Sequence, residues 1–167
     1  MKMSAALLPE FDQEMATTRR VLERVPDDRL GWKPHDKSMS LGRLASHIAE
    51  LPAWVDTILH QEGFDMAARE NGYKPNDLGS NREILELFDS LLGKVRGTLE
   101  SVEDQTLLQP WTLRRGDHVI FTLPRAAVLR TMVYSHIIHH RGQLSVYLRL
   151  NDVPLPSIYG PSADEAV

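Results

Sequence analysis

The chain has 167 residues, of which 42 % are hydrophobic and 25 % are charged, and its formal net charge is −4. This composition is typical of a folded globular protein, and the length predicts a single domain over residues 1–167. A chain with an acidic balance is not expected to bind nucleic acid. No apolar run approaches the roughly 18 residues of a membrane span, and the first apolar stretch is too short for a signal peptide. We therefore expect a cytoplasmic protein.

Cysteine is absent from the chain, whereas histidine occurs seven times. The absence of cysteine excludes disulfides, a thiolate nucleophile, an iron–sulfur cluster and any zinc finger with cysteine ligands. Imidazole and carboxylate groups are therefore the strong metal ligands that this sequence can offer.

Apolar residues recur at spacings of three and four in four segments, which predicts four amphipathic helices. The first helix covers about Leu7–Val25, and Pro26 ends it. The second covers about Ser40–Gln61. Pro52 lies inside the second helix and predicts a kink about one turn after His47, because proline removes a backbone donor.

A long connection from Glu62 to Gly79 separates the second helix from the third. It contains Gly72 and Pro75, and connections of this length are often functional or carry a short element. A surface excursion with a helical turn near Met66–Arg69 is favoured over a substrate lid. The third helix covers about Asn81–Val102 and begins with a capping box.

The last third of the chain begins with loose alternation over Trp111–Leu123, which predicts a small hairpin or an extended crossover. The fourth helix covers about Arg125–Leu150 and is the longest, and the tail over residues 151–167 is expected to be irregular. Together these elements predict an all-α fold, a four-helix bundle.

Three histidines are predicted to face the interior of this bundle. His136 and His140 lie one turn apart on the inward face of the fourth helix, a spacing at which two imidazoles can bind one metal ion. His47 lies at the centre of the inward face of the second helix. Three nitrogen ligands leave a fourth coordination position open, which is typical of catalytic rather than structural sites.

The remaining histidines and two polar residues have weaker interpretations. His139 could replace His140 as a ligand, but its angular offset favours a supporting role. Glu50 is a solvated boundary residue or a group that orients an imidazole or water, and Gln143 could act similarly from the fourth helix. Three histidines require no functional explanation: His35, His60 and His118.

The histidines of the fourth helix and Gln143 belong to one of several longer motifs that are spread along the chain. The motifs are LGWKP at 30–34, SMSLG at 38–42, HIIHHRGQL at 136–144, YLR at 147–149 and PLPSIYGPSADE at 154–165. In these segments the sequence resembles the DinB-like family, also described as putative metal-dependent hydrolases of the YfiT type.

The resemblance implies a four-helix bundle of up-down-down-up topology, often assembled as a homodimer. It also implies a divalent metal ion, nickel or zinc in many members, bound by His47, His136 and His140. Characterised relatives include S-transferases and isomerases that use a low-molecular-weight bacterial thiol, whereas others are putative hydrolases.

The sequence leaves two classes of function open. The first is a metal-dependent enzyme of thiol S-transferase or hydrolase type acting on a small molecule. The second is a non-catalytic metal-binding module in stress response or dimerisation. Tyr134 and Ile138, at about 160° from the metal face of the helix, motivate the second class, although they equally fit the bundle core or a dimer seam. A bundle without any metal is a third, less favoured possibility.

Overall fold

A computed structural model describes residues 2–70 and 76–166 of the chain. Gly72 and Pro75 of the predicted connection, and both end residues of the predicted domain, lie outside this part. The helices are α1 (Ser4–Leu22), α2 (Leu41–Glu50), α3 (Trp54–His60), α4 (Met66–Glu70), α5 (Asn81–Ser101), α6 (Asp104–Leu108), α7 (Arg125–Leu129) and α8 (His136–Leu150). The strands are β1 (Gly63–Asp65), β2 (Pro110–Arg115) and β3 (His118–Pro124).

The predicted four-helix bundle is confirmed. Helix α1 packs against α5 and α8, and α2 packs against the same two helices. The apolar stripes of these helices meet in one core, in which Leu44, Phe88 and Leu144 are fully buried. None of the helices in the described part of the chain is long and apolar enough to cross a membrane.

Helix α2 begins at a well-defined cap. The Ser40 hydroxyl accepts a hydrogen bond from the Arg43 backbone N–H at 3.1 Å, which satisfies one of the free donors of the first turn. Gly42 lies so close to the preceding loop that a Cβ there would stand 3.0 Å from Cβ of Leu30. This contact anchors the loop against α2 and fixes the start of the helix that carries His47.

The second predicted helix is interrupted at Pro52. Leu51–Ala53 forms a short 3₁₀ turn between α2 and α3, so regular α-helix is interrupted where the kink is predicted. Proline at this position lacks the N–H that a continuous α-helix requires. Trp54 follows the turn as the first residue of α3.

A small sheet lies beside the bundle. Strands β2 and β3 pair antiparallel, which confirms the hairpin alternative, and β1 pairs parallel with β2. Strand β1 has no signal in the sequence and lies in the connection interpreted as a surface excursion. The expected helical turn there is present as α4. Gly63 permits the β1–β2 pairing, because a Cβ there would approach the Thr112 carbonyl oxygen to 2.4 Å.

The fourth predicted helix is continuous but not uniformly α-helical. Arg130–Ser135 forms a π-helical segment between α7 and α8 and ends immediately before His136. Tyr134 lies in the core, because the residue is 1 % exposed and its hydroxyl donates to the Leu7 carbonyl at 2.9 Å. Its bundle-core interpretation therefore holds, and Ile138 is partly buried.

The C-terminal segment, residues 151–166, is irregular as predicted but firmly attached to the bundle. Asp164 pairs with Arg149 on α8, and Glu165 pairs with Arg20 on α1 at 2.6 Å. The segment also closes on itself, because the Ser162 hydroxyl donates to the Leu155 carbonyl at 2.7 Å. These contacts explain physically why a segment without regular structure holds one conformation.

A buried ionic network joins this segment to α1 and α8. Arg141 is 1 % exposed and pairs with the Glu14 carboxylate at 2.7 Å. The Tyr159 hydroxyl lies 2.6 Å from Arg141 and 2.9 Å from the Glu14 carboxylate. A third contact runs from Arg141 to the Thr18 hydroxyl at 3.2 Å. Because Arg141 follows His140 directly, the network also fixes the part of α8 that carries the histidines.

Candidate metal centre

Three histidines from two helices of the bundle converge at one point. His47 comes from α2, and His136 and His140 come from successive turns of α8. Nε2 of His47 lies 3.5 Å from Nε2 of His136, and one ring nitrogen from each of the three residues lies within 4.8 Å of the others. The structure therefore brings together all three residues that the sequence pointed to as metal ligands.

The spacing of these nitrogens fits a divalent metal ion. Ligand nitrogens at about 2.0–2.1 Å from a tetrahedral ion lie about 3.4 Å from one another. The His47–His136 separation matches this value, and the other separations do not exceed 4.8 Å. All three side chains are partly buried, so the site is shielded without being sealed.

The protonation state of the three imidazoles also suits a metal ligand. Burial, reinforced by the neighbouring His140, His136 and Arg43, lowers the pKa of His47 to about 4. Burial likewise lowers the pKa of His136 and of His140. The imidazoles are thus favoured in the neutral form whose lone pair can bind a metal ion.

Gln143 orients the imidazole of His140. Its side-chain oxygen lies 2.8 Å from Nδ1 of His140, so Nδ1 carries the proton and donates to it, and Nε2 is left as the ligand atom. A hydrogen bond of this kind fixes both the tautomer and the plane of a metal-binding imidazole. The structure thus places Gln143 where a supporting residue is needed.

A π-helical segment directly precedes His136. The backbone N–H of His136 donates to the Val133 carbonyl, whereas in an α-helix it would donate to the carbonyl of Met132. The Met132 backbone offsets part of the lowering of the His136 pKa by burial. This irregularity just before a candidate ligand is a feature that helical periodicity could not reveal.

Glu50 lies beside the imidazole of His47 rather than at a solvated boundary. Its side chain is 16 % exposed, and its carboxylate is 4.0 Å from Nδ1 of His47. It accepts hydrogen bonds from Arg43 at 3.3 Å and from the Asn76 backbone at 3.1 Å. At 4.0 Å the carboxylate does not bond directly to His47, but it is fixed within one water molecule's reach of the site.

The other four histidines lie apart from the three converging nitrogens. His139 is exposed, and its ring contacts that of His140 at 4.9 Å between centroids. His60 lies at the end of α3 with Nδ1 3.1 Å from the Asp56 carbonyl. His35 accepts from the Lys37 backbone in a loop, and His118 is exposed at the start of β3.

A cavity of about 360 Å³ opens beside His47. Its other lining residues come from α2, the 3₁₀ turn, α3, β1 and the segment before α5: Glu50, Leu51, Ala53, Trp54, Thr57, Phe64 and Asn76. No sequence pattern points to Phe64 as part of a site. The position of Trp54 on the same face as His47, seven residues later, was the one signal available for this cavity.

A four-helix bundle with an interior cluster of three histidines and an adjacent cavity defines a class of candidate helix-bundle metalloproteins. The DinB family model matches residues 1–166. The chain belongs to the DinB family.

Individual relatives agree with this assignment. The chain is 23 % identical to YrdA of Bacillus subtilis over 158 residues, covering 95 % of this chain and 89 % of YrdA. A DinB-like protein from Bacillus cereus superposes with a TM-score of 0.67 at 22 % identity, covering 91 % of this chain and 95 % of that structure. YfiT from Bacillus subtilis, described as a probable metal-dependent hydrolase with an unusual four-helix bundle topology, superposes with a TM-score of 0.64 at 16 % identity. That comparison covers 89 % of this chain and 87 % of YfiT.

Proposed function

We propose that this protein is a metal-dependent enzyme acting on a small molecule, by thiol transfer or by hydrolysis. The observation that carries the proposal is the convergence of His47, His136 and His140 beside a cavity of about 360 Å³. A site that serves only to hold the fold together has its coordination positions filled by protein ligands, whereas three ligands and an adjacent cavity leave room for a substrate.

The residues of the site supply binding and orientation. The three imidazoles are neutral ligands, so a divalent ion retains its full charge and can act as a Lewis acid that acidifies a water or a thiol. Gln143 fixes the plane of His140. Glu50, held by Arg43, is placed to accept a proton through a water molecule beside His47.

The chain has no cysteine, which limits the form that thiol chemistry can take. If the reaction is a thiol transfer, the sulfur atom arrives on a low-molecular-weight thiol cosubstrate. We propose nickel or zinc as the ion, because imidazole ligands suit both. We also propose a homodimer located in the cytoplasm.

The alternative of a non-catalytic metal-binding module predicts a sealed site. The cavity beside His47 favours the enzyme over this alternative, and the burial of Tyr134 removes one residue that motivated a docking face.

The proposal is tested by activity measurements on protein loaded with one equivalent of zinc or nickel. The loaded protein is assayed for conjugation of small thiols to electrophiles and for hydrolysis of ester and amide substrates. We expect turnover in one of these assays, lost in a His136→Ala variant and retained in a His118→Ala control. A stoichiometrically loaded protein that turns over no member of either panel would contradict the proposal.

A further inference from the structure

The cavity beside His47 is elongated along one face of two helices. His47, Leu51 and Trp54 follow one another at spacings of four and three, and Thr57 continues the same row. At about 1.5 Å of rise per residue, the ten residue steps from His47 to Thr57 span about 15 Å. One end of the cavity therefore lies at His47, one of the three converging histidines, and the other lies well away from it.

Two aromatic side chains form the wall of the cavity away from the histidines. The rings of Trp54 and Phe64 meet edge to face, with centroids 4.8 Å apart, and both residues are partly buried. Trp54 also packs against the fully buried Trp111, with centroids 6.5 Å apart. Strand pairing places Phe64 opposite Leu113 of β2. The aromatic wall is consequently backed by the core and the sheet, and it is preformed.

Among the described residues that line the cavity, the charge is confined to one carboxylate. Glu50 is the one aspartate, glutamate, lysine or arginine among the described residues that line it. Its hydrogen bonds to Arg43 and to the Asn76 backbone hold it in place. An anionic group on the body of a ligand would face this carboxylate without a lining cation to pair with, so the cavity suits a neutral ligand body.

We infer that this cavity binds the aromatic part of the substrate, and that the substrate is a small molecule with an uncharged ring attached to a metal-binding group. The ring packs against Trp54 and Phe64 while the metal-binding group reaches the three histidines. This inference rests on the proposed function and adds the class of substrate to it. Trp54 and Phe64 are then the residues that determine specificity.

Hydroxamates test this inference, because their metal-binding group stays the same while the group attached to it is varied. Protein loaded with cobalt(II) is titrated with acetohydroxamate, benzohydroxamate and 4-carboxybenzohydroxamate, and binding is followed by visible absorption and by calorimetry. We expect benzohydroxamate to bind at least about tenfold more tightly than acetohydroxamate, because its ring is removed from water in the cavity. The added carboxylate is expected to abolish most of this gain.

Two variants test whether the aromatic wall causes the tighter binding of benzohydroxamate. Trp54→Leu is expected to reduce the benzohydroxamate preference to about threefold or less, with the affinity for acetohydroxamate unchanged. Trp32→Leu is the matched control, because Trp32 is also partly buried but packs on Tyr147 and does not line the cavity. Phe64→Leu replaces the first variant if circular dichroism shows that Trp54→Leu does not fold.

The outcomes separate this inference from the proposed function. If acetohydroxamate binds but benzohydroxamate binds no more tightly, or if the benzohydroxamate preference survives in the folded variant of the aromatic wall, the substrate inference is overturned and the metal centre stands. If cobalt is bound but neither hydroxamate binds it, or if cobalt does not load at all, the proposed open metal site is overturned together with the inference.

Discussion

The buried pair between Arg141 and Glu14 gives the sharpest stability prediction. Arg141→Met removes a side chain that is 1 % exposed and leaves the Glu14 carboxylate, 8 % exposed, with the Tyr159 hydroxyl but no cation. Breaking a buried ion pair by removing one partner typically costs about 3–5 kcal/mol, because the remaining charge stays desolvated. We expect Arg141→Met to lower the free energy of unfolding by an amount in that range.

A surface pair of similar geometry is the control. Arg96 pairs with Asp12 at 2.8 Å, but the two side chains are 47 % and 42 % exposed. Arg96→Met is therefore expected to cost about 1 kcal/mol or less. Urea unfolding of the metal-free protein measures both variants, with equal m-values as evidence that the two transitions are comparable.

A double variant isolates the desolvated charge as the cause. In Glu14→Met/Arg141→Met no charge is left unpaired, so we expect it to be more stable than Arg141→Met alone. A loss below about 1 kcal/mol for Arg141→Met, or a double variant less stable than the single one, would refute this reasoning.

Three further predictions concern the site and the sheet. Because the pKa of His47 lies near 4 in the folded protein and near 6.5 in the unfolded chain, the unfolded chain binds more protons between these values. The free energy of unfolding of the metal-free protein should therefore fall by up to about 3 kcal/mol as the pH falls from 6.5 to 4. Urea unfolding measured at several pH values should show a weaker dependence of this free energy on pH in His47→Gln. Gln143→Leu should weaken zinc affinity about 10- to 100-fold in competition with a chelator, without changing the stability of the metal-free protein. Gly63→Ala should disrupt the pairing of β1 with β2, because its Cβ would meet the Thr112 carbonyl, and amide exchange in β1 should accelerate.

The bundle and the three histidines could be predicted because both depend on local periodicity. An amphipathic helix buries one face, so the inward positions of His47, His136 and His140 follow from their spacing relative to apolar neighbours. The hairpin before the fourth helix is likewise indicated by apolar residues that alternate on both sides of Gly116. The backbone at Gly116 has a positive φ of 58°.

The features that could not be predicted depend on contacts distant in the chain or on departures from regular geometry. Strand β1 has three residues, too few for a periodic signal, and exists because β2 provides a partner 49 positions later, Thr112 facing Gly63. The π segment turns by less than 100° per residue before His136, a departure that no sequence pattern reveals. The cavity is lined by residues of both α3 and β1. Only the helix could be predicted from the sequence.

The C-terminal segment illustrates a third limit. Its sequence motif is similar to that of the family. Its physical role is visible only in ion pairs such as Arg149 with Asp164 and Arg20 with Glu165. The positions of charged residues in a sequence do not show which of them form ion pairs, because such pairs recur at no fixed spacing.

The central claim is that three histidines hold one divalent ion, and metal stoichiometry tests it most directly. Metal-free protein is dialysed against zinc at a concentration buffered by a chelator, and bound zinc is measured by elemental analysis. We predict one ion per chain in the parent protein, loss of this ion in His136→Ala, and full retention in His139→Ala, whose exposed imidazole lies on the same helix. Equal zinc content in His136→Ala and the parent protein, or no bound zinc in the parent protein, would contradict the account.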